Sequence, residues 1–229
     1  MKTFLFIANS DISNALIEQL NPENHRIVVA SRTQRLSGPY HYKRLNLNDS
    51  ECFNDIVDEV STANLTVINS IGLLHEMHCQ PEKSLLQFDS DWFMQSMQVN
   101  CMSHIQCLKA LSQKMKRQDC VSYIGFSARV GSISDNRLGG WLSYRVSKAA
   151  LNMALKTVSV EWSFKFRNSC VVGYHPGTVA TRLSAPFNHN APKVFTPQEA
   201  AEKLWQFMQT LSVEKNGLLF DWRQQQIMF

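Results

Sequence analysis

Tyr144-Arg145-Val146-Ser147-Lys148 sets a phenol and an ammonium four residues apart, a spacing that puts both on one face of a helix. A positive charge beside a phenol favours the phenolate and lowers the tyrosine pKa, preparing it to exchange a proton with a substrate oxygen. Taken alone, the spacing also suits a solvated helix face. Its surroundings narrow the choice. Ser127-Ala128-Arg129-Val130-Gly131-Ser132 follows directly on an apolar run, and Ala149-Ala150-Leu151-Asn152 continues the helix with small residues that let another element pack closely. Asn69-Ser70-Ile71-Gly72, Val99-Asn100 and His175-Pro176-Gly177-Thr178-Val179-Ala180-Thr181 complete the set.

The elements that must position these residues follow from hydrophobic period. Short β-rich runs at 3–8, 26–30, 40–47, 65–69, 121–126, 170–173 and 218–221 read as strands. Helical patterns at 12–20, 51–60, 91–114, 142–164 and 196–211 lie between them, with Ser10 or Asp11, Ser50 and Thr196 as caps. Continuous apolar strands separated by helices predict a doubly wound α/β fold, a parallel sheet of about seven strands with helices on both faces. No linker composition or internal repeat divides the chain, so residues 1–229 read as one domain. The chemistry-bearing segments then fall at the carboxyl ends of strands or beside them, where open α/β sheets bind ligands.

These segments, in this order, resemble the short-chain dehydrogenase/reductase family, and in particular its C-factor-like branch, over essentially the whole chain. The resemblance implies a Rossmann-type fold and hydride transfer between a nicotinamide and a carbonyl or alcohol carbon. It implies Tyr144 as general acid/base and Lys148 as the group that binds the nicotinamide ribose and depresses the tyrosine pKa. Asn100 would hold the water of a proton relay, and Ser127 would hydrogen-bond the substrate carbonyl. Pro176, Gly177, Thr178 and Thr181 would clasp the nicotinamide side, and Asn69, Ser70, Ile71 and Gly72 would line the adenosine ribose. Asn46 and Leu47 would stand beside the adenine, and Asn9, Ser10 and Ile12 beside the pyrophosphate. The helices at 91–114 and 142–164 resemble those through which the family pairs subunits, which implies a homodimer or homotetramer.

Two departures from the family pattern stand out. Counting back from Gly131 puts Ala128 where the family carries its catalytic serine. Either Ser127 takes the role, through a one-residue shift or bulge in the strand that delivers it, or Ser132 does, or the hydroxyl is missing; Ser127 is the favoured reading. The second departure is the first turn. The family's three glycines correspond to Ile7, Asp11 and Ser13, and Asp11 would set a carboxylate near a pyrophosphate unless it caps the helix with its side chain turned away. Asn9 and Asn14 tolerate unusual backbone angles there. The second strand ends in Ser31-Arg32-Thr33 with no carboxylate, so Ser31 and Arg32, with help from Arg35, could receive a 2′-phosphate. NADP(H) is therefore expected over NAD(H). The intact tyrosine and lysine favour an enzyme, whereas the lost glycines favour a dinucleotide-sensing or signalling protein of little turnover. A non-redox enzyme such as a lyase is a weaker third reading.

Bulk properties exclude other classes. Apolar residues make up 44% and charged residues 18%, as in a globular chain. A net charge of +4, with Lys114-Met115-Lys116-Arg117 the one short basic run, makes no nucleic-acid stripe. Six cysteines without CxxC pairs suit reduced thiols, and no apolar run is long enough for a signal peptide or membrane span, so a cytoplasmic protein with no membrane partner is expected. His75-Glu76-Met77-His78-Cys79 lacks the spacing of a zinc site and reads as a polar loop over the active site; no metal is expected. Trp141, Leu142 and Phe187 could wall a substrate pocket or form a lid, and His175 could touch the substrate.

Overall fold

The computed structural model describes residues 1–33, 38–49, 51–76, 78–188 and 193–229. The apolar runs form β1 (Lys2–Ile7), β2 (His25–Ser31), β3 (His41–Arg44), β4 (Asn64–Asn69), β5 (Cys120–Phe126), β6 (Cys170–His175), β7 (Leu219–Asp221) and β8 (Gln226–Ile227). They make one sheet of eight strands in the order β3-β2-β1-β4-β5-β6-β7-β8. The first seven are parallel, whereas β8 pairs antiparallel with β7. The two-residue β8 carries too little pattern to be read from sequence, so the expected seven strands become eight.

The helices are α1 (Asp11–Gln19), α2 (Cys52–Asp58), α3 (Ser90–Met97), α4 (Ser103–Lys114), α5 (Leu142–Lys165) and α6 (Pro197–Gln209). Of the two candidate caps of α1, Ser10 accepts the Ser13 amide and Asp11 is the first helical residue. Thr196 and Glu199 form a capping box on α6. Ser50, read as the cap of α2, lies outside the described residues, and Glu51 stands at the cap position without a side-chain cap bond. The helix expected over 91–114 is two helices joined by a π-helical turn, Gln98–Met102.

Helices cover both faces of the sheet. Leu5, Val67, Val121 and Val171 pack beneath α2, α4 and α5, together with Leu108, Leu151 and Trp162. Phe4, Phe6, Ile124 and Val172 pack beneath α1 and α6, together with Leu16, Leu204 and Phe207. Strands buried on both sides lack polar alternation, which is why they read as continuous apolar runs. Full burial of each such side chain stabilises the fold by about 1.5–3 kcal/mol. Strand order reverses between β1 and β4, and the chain leaves both at the same end, with the Ser70 amide donating to Ile7 O at 2.9 Å. That switch point opens the crevice in which such sheets bind ligands. Among the described residues no helix is long and apolar enough to cross a membrane.

Candidate active site

Helix α5 carries Tyr144 and Lys148 along the crevice. Lys148 is buried, and its Nζ donates to Phe126 O at the end of β5 at 2.8 Å. The same Nζ lies 5.9 Å from the Tyr144 ring centroid. Burial lowers the Lys148 pKa from its ordinary value to about 7. Burial pushes the Tyr144 phenol up from its ordinary value. The direction expected from spacing alone, a phenol lowered by a neighbouring cation, is therefore not the one found, because burial is what sets the phenol's pKa here. The Tyr144 hydroxyl has no hydrogen-bond partner among the described residues, although Ser147, one turn on, donates to the Tyr144 carbonyl at 2.9 Å.

Asn100 sits in the π-turn, fully buried. Its Oδ1 accepts from Leu73 N at 2.7 Å, and its Nδ2 donates to Leu73 O at 2.8 Å and to Ser147 Oγ at 3.0 Å. The turn thus joins the loop after β4 to α5; π-bulges are frequent at functional sites. A Cβ added to Gly72 would lie 3.8 Å from Lys148 Nζ, 3.9 Å from Asn100 Oδ1 and 3.9 Å from Leu183 Cδ2, so Gly72 keeps open the space where these side chains converge.

The loop after β5 is clipped beneath α5. Ser127 Oγ donates to Asn152 Oδ1 at 2.6 Å, and Asn152 Nδ2 donates to Gly131 O at 3.2 Å. A Cβ on Gly131 would meet Lys148 Cβ at 2.8 Å, so only glycine lets the loop approach. Ser132 instead donates to Met228 O and accepts from Asp135 N, turned toward the chain's end. The Ser127 hydroxyl is thus directed at Asn152, and Ala128 holds the next extended position.

The first turn places its left-handed residue one position beyond the first glycine of the family pattern. Ile7 belongs to β1, and the left-handed residue is Ala8, with φ 69. Ser13 is fully buried; its Oγ lies 2.9 Å from Ser10 Oγ and 3.0 Å from Ser70 Oγ. The Ile12 amide makes no hydrogen bond within the described residues and stands at the open end of α1. Asn9 Nδ2 reaches Thr33 O at 3.5 Å. Ser31 is buried and its hydroxyl donates to Thr33 O at 2.6 Å, so its proton is already committed, whereas Arg32 is exposed. Arg35 lies outside the described residues. Asn46 donates its amide to Cys52 Sγ and accepts from the Asn48 amide, while Leu47 packs on the core.

Asn69 is buried; it accepts from Ile71 N at 3.1 Å and donates to the Tyr123 hydroxyl at 2.8 Å. That hydroxyl meets His104 Nδ1 at 3.0 Å. Pro176, Gly177 and Thr178 follow β6; Gly177 has φ 82, and a Cβ there would strike Trp222 at 2.8 Å. Thr181 bonds Ser184 at 3.3 Å. Burial, with Arg129 nearby, lowers the His175 pKa to about 4, so the imidazole is neutral at pH 7.

Over Tyr144 lies an aromatic wall. The Trp141 ring is 6.3 Å from Tyr144 and 5.0 Å from Phe187, and Phe187 is 5.5 Å from the His75 ring. Beside it opens a cleft of about 640 Å³, lined by Gln80, Pro81, Lys83, Gln87, Trp141, Pro186 and Phe187. His75 Nε2 meets Arg182 O at 3.2 Å, and Glu76 and Cys79 form an antiparallel bridge, while Met77 is outside the described residues. Sequence reasoning missed Ser147 and Asn152, both in the quoted helix but without a cue to their partners.

A doubly wound, mostly parallel sheet with helices on both faces, and with a tyrosine and a lysine on one helix at its carboxyl edge, defines a Rossmann-type fold. The family model described as enoyl-(acyl carrier protein) reductase matches residues 17–215, and the chain belongs to the short-chain dehydrogenase/reductase family. It is 30% identical over 129 residues to 1-hydroxy-2-glutathionyl-2-methyl-3-butene dehydrogenase of Rhodococcus sp. (strain AD45), covering 56% of this chain but only 55% of that one. It is 25% identical over 125 residues to C-signal of Myxococcus xanthus, covering 55% of this chain and 71% of that one. In fold it is similar to the NADPH-bound carbonyl reductase from chicken fatty liver, with a TM-score of 0.83 at 19% identity over 100% of this chain and 94% of that one.

Proposed function

We propose that this protein is an NADP(H)-dependent oxidoreductase that interconverts a carbonyl and an alcohol, with Tyr144 as general acid/base. The observation that carries this reading is Tyr144 beside the buried Lys148, its hydroxyl unspent, beneath the wall of Trp141 and Phe187. The nicotinamide half of a dinucleotide fits the residues present: Gly72 keeps space open beside Lys148, Asn100 and Leu183, and Pro176, Gly177, Thr178 and Thr181, which follow β6, are proposed to clasp it. On the other half, the Ile12 amide and Arg32 are two of the donors proposed to meet the phosphates, with Asn69, Ser70 and Ile71 proposed toward the ribose and Asn46 and Leu47 toward the adenine. Such a group, when bound, supplies or accepts the hydride.

The chain's own residues handle the proton. In the reducing direction Tyr144 gives its proton to the carbonyl oxygen as that oxygen gains charge. A phenol held up by burial is in the right state to donate. Lys148, anchored by Phe126 O, holds the ribose and carries a proton in and out near neutrality, and Asn100 fixes the loop and helix between which that proton moves. Ser127 would reach the substrate only after turning from Asn152, so donation rests on Tyr144.

The second reading, a dinucleotide sensor of little turnover, is favoured by Ile7, Asp11 and Ser13 at the family's glycine positions and by the left-handed Ala8 beside them. Titration with NADPH and NADH, followed by nicotinamide fluorescence, separates the outcomes: micromolar binding with NADPH preferred supports the proposal, and binding of neither removes it. The subunits are proposed to pair through the segment 91–114, which spans α3, the π-turn and α4, and through α5; together these expose Met94, Met102, Ile105, Met153, Val160 and Phe164, and sedimentation showing only monomer at micromolar concentration would sink that. All six cysteines are free, which suits the reducing cytoplasm.

A further inference from the structure

Helix α5 begins in an unusual way. Gly139, Gly140 and Trp141 are consecutive left-handed residues, with φ 62, 64 and 54, and Trp141 occupies the cap position without a side-chain cap bond. Helices normally place Ser, Thr, Asp or Asn there, in extended backbone, to hold an amide of the first turn. Here the acceptor comes from elsewhere in the chain. Glu82 is 3% exposed, and its carboxylate accepts from Ser143 N at 3.2 and 3.3 Å and from Ser143 Oγ. The Glu82 carbonyl also takes the Trp141 amide, and Arg145 Nε closes the run by donating to Gly140 O at 2.9 Å.

A buried carboxylate is costly unless well paired, and an ordinary local cap would satisfy the helix end at less expense. What the remote cap makes possible is a tryptophan at the cap position, where its ring covers Tyr144 and meets Phe187. We infer that Glu82 is a positioning residue that holds the left-handed run and the first turn of α5, and thereby fixes Tyr144 and Trp141 against the substrate. The inference rests on the proposed reductase activity for its kinetic consequence, but not for the clamp itself.

The test uses the full-length protein and the variants Glu82→Gln, which keeps one acceptor, and Glu82→Ala, which keeps none. Hydrogen exchange of the 139–145 segment, measured without cofactor, should speed up about tenfold or more in Glu82→Ala and less in Glu82→Gln. Turnover with NADPH and a carbonyl substrate should show kcat lowered on the order of tenfold to a hundredfold, with NADPH affinity held within about twofold. Partial recovery in Glu82→Gln relative to Glu82→Ala marks the acceptor as the cause. Should Glu82→Ala not fold, Glu82→Gln carries both readouts. Unchanged exchange, or unchanged kcat in a folded variant, overturns the inference. A wild-type protein without turnover would remove the proposed activity, and the exchange measurement would still decide the clamp.

Discussion

The hydroxyls of Ser13 and Ser70 lie 3.0 Å apart and tie the first turn of α1 to the end of β4, at the point where strand order reverses. Dinucleotide folds usually place a glycine at the Ser13 position so that helix and strand can pack closely. Here the gap is bridged by a hydrogen bond, and Ser10 joins it at 2.9 Å from Ser13 Oγ. The turn is therefore built, with polar side chains doing part of what glycines do elsewhere.

Ala8 is where that substitution carries a backbone cost. A non-glycine residue at φ 69 costs about 1 kcal/mol relative to glycine. Ala8→Gly should raise unfolding free energy by up to about 1 kcal/mol and tighten NADPH binding by letting backbone approach the pyrophosphate. Urea titration and fluorescence binding check both. A variant that loses more than about 1 kcal/mol would show that the Ala8 methyl packs better than its backbone strains.

Arg32 is exposed at the end of β2, while the neighbouring Ser31 proton is spent on Thr33 O at 2.6 Å. Arg32→Ala should weaken NADPH about tenfold and leave NADH affinity unchanged, since a charge-assisted contact to a 2′-phosphate is worth about 1.5 kcal/mol or more. Equal losses for both coenzymes would mean that Arg32 acts on something other than that phosphate.

His104 is fully buried between Tyr123 and Ile71 O, and burial lowers its pKa from 6.5 to about 3. The native state keeps it neutral, while the unfolded chain takes up a proton below 6.5. Its stability contribution is complete above pH 6.5 and is lost as pH falls toward 3, at about 1.4 kcal/mol per pH unit. His104→Gln should flatten the acid limb of stability against pH by about one proton, as measured by denaturant titration from pH 7 to 4. An unaltered slope would place the titration elsewhere, with His175 the next group to test.

Much of the site was legible because it is local: Tyr144 and Lys148 share a helix face, and Asn69, Asn100 and Pro176 lie at or beside strand ends. What escaped was non-local. Nothing near Glu82 marks it as the cap of a helix that starts sixty residues later. The π-turn at Asn100 leaves the apolar spacing of α3 and α4 nearly unbroken, so the period reads as one helix. The left-handed residue fell on Ala8 and not Ile7 because β1 keeps Ile7 in the ladder opposite Ala30 and Asn69. Ser127 was read from its place after β5, but its direction depends on Asn152, which lies 25 residues away.

Hydride transfer with Tyr144 as the acid is tested most directly by NADPH absorbance in wild type and Tyr144→Phe, across a panel of aldehydes and ketones. Wild type should oxidise NADPH one for one with alcohol formed. Tyr144→Phe should bind NADPH within about twofold of wild type, yet lose kcat by about a hundredfold or more. Turnover that survives in Tyr144→Phe, or a wild type that binds NADPH and reduces no carbonyl compound, would contradict the account.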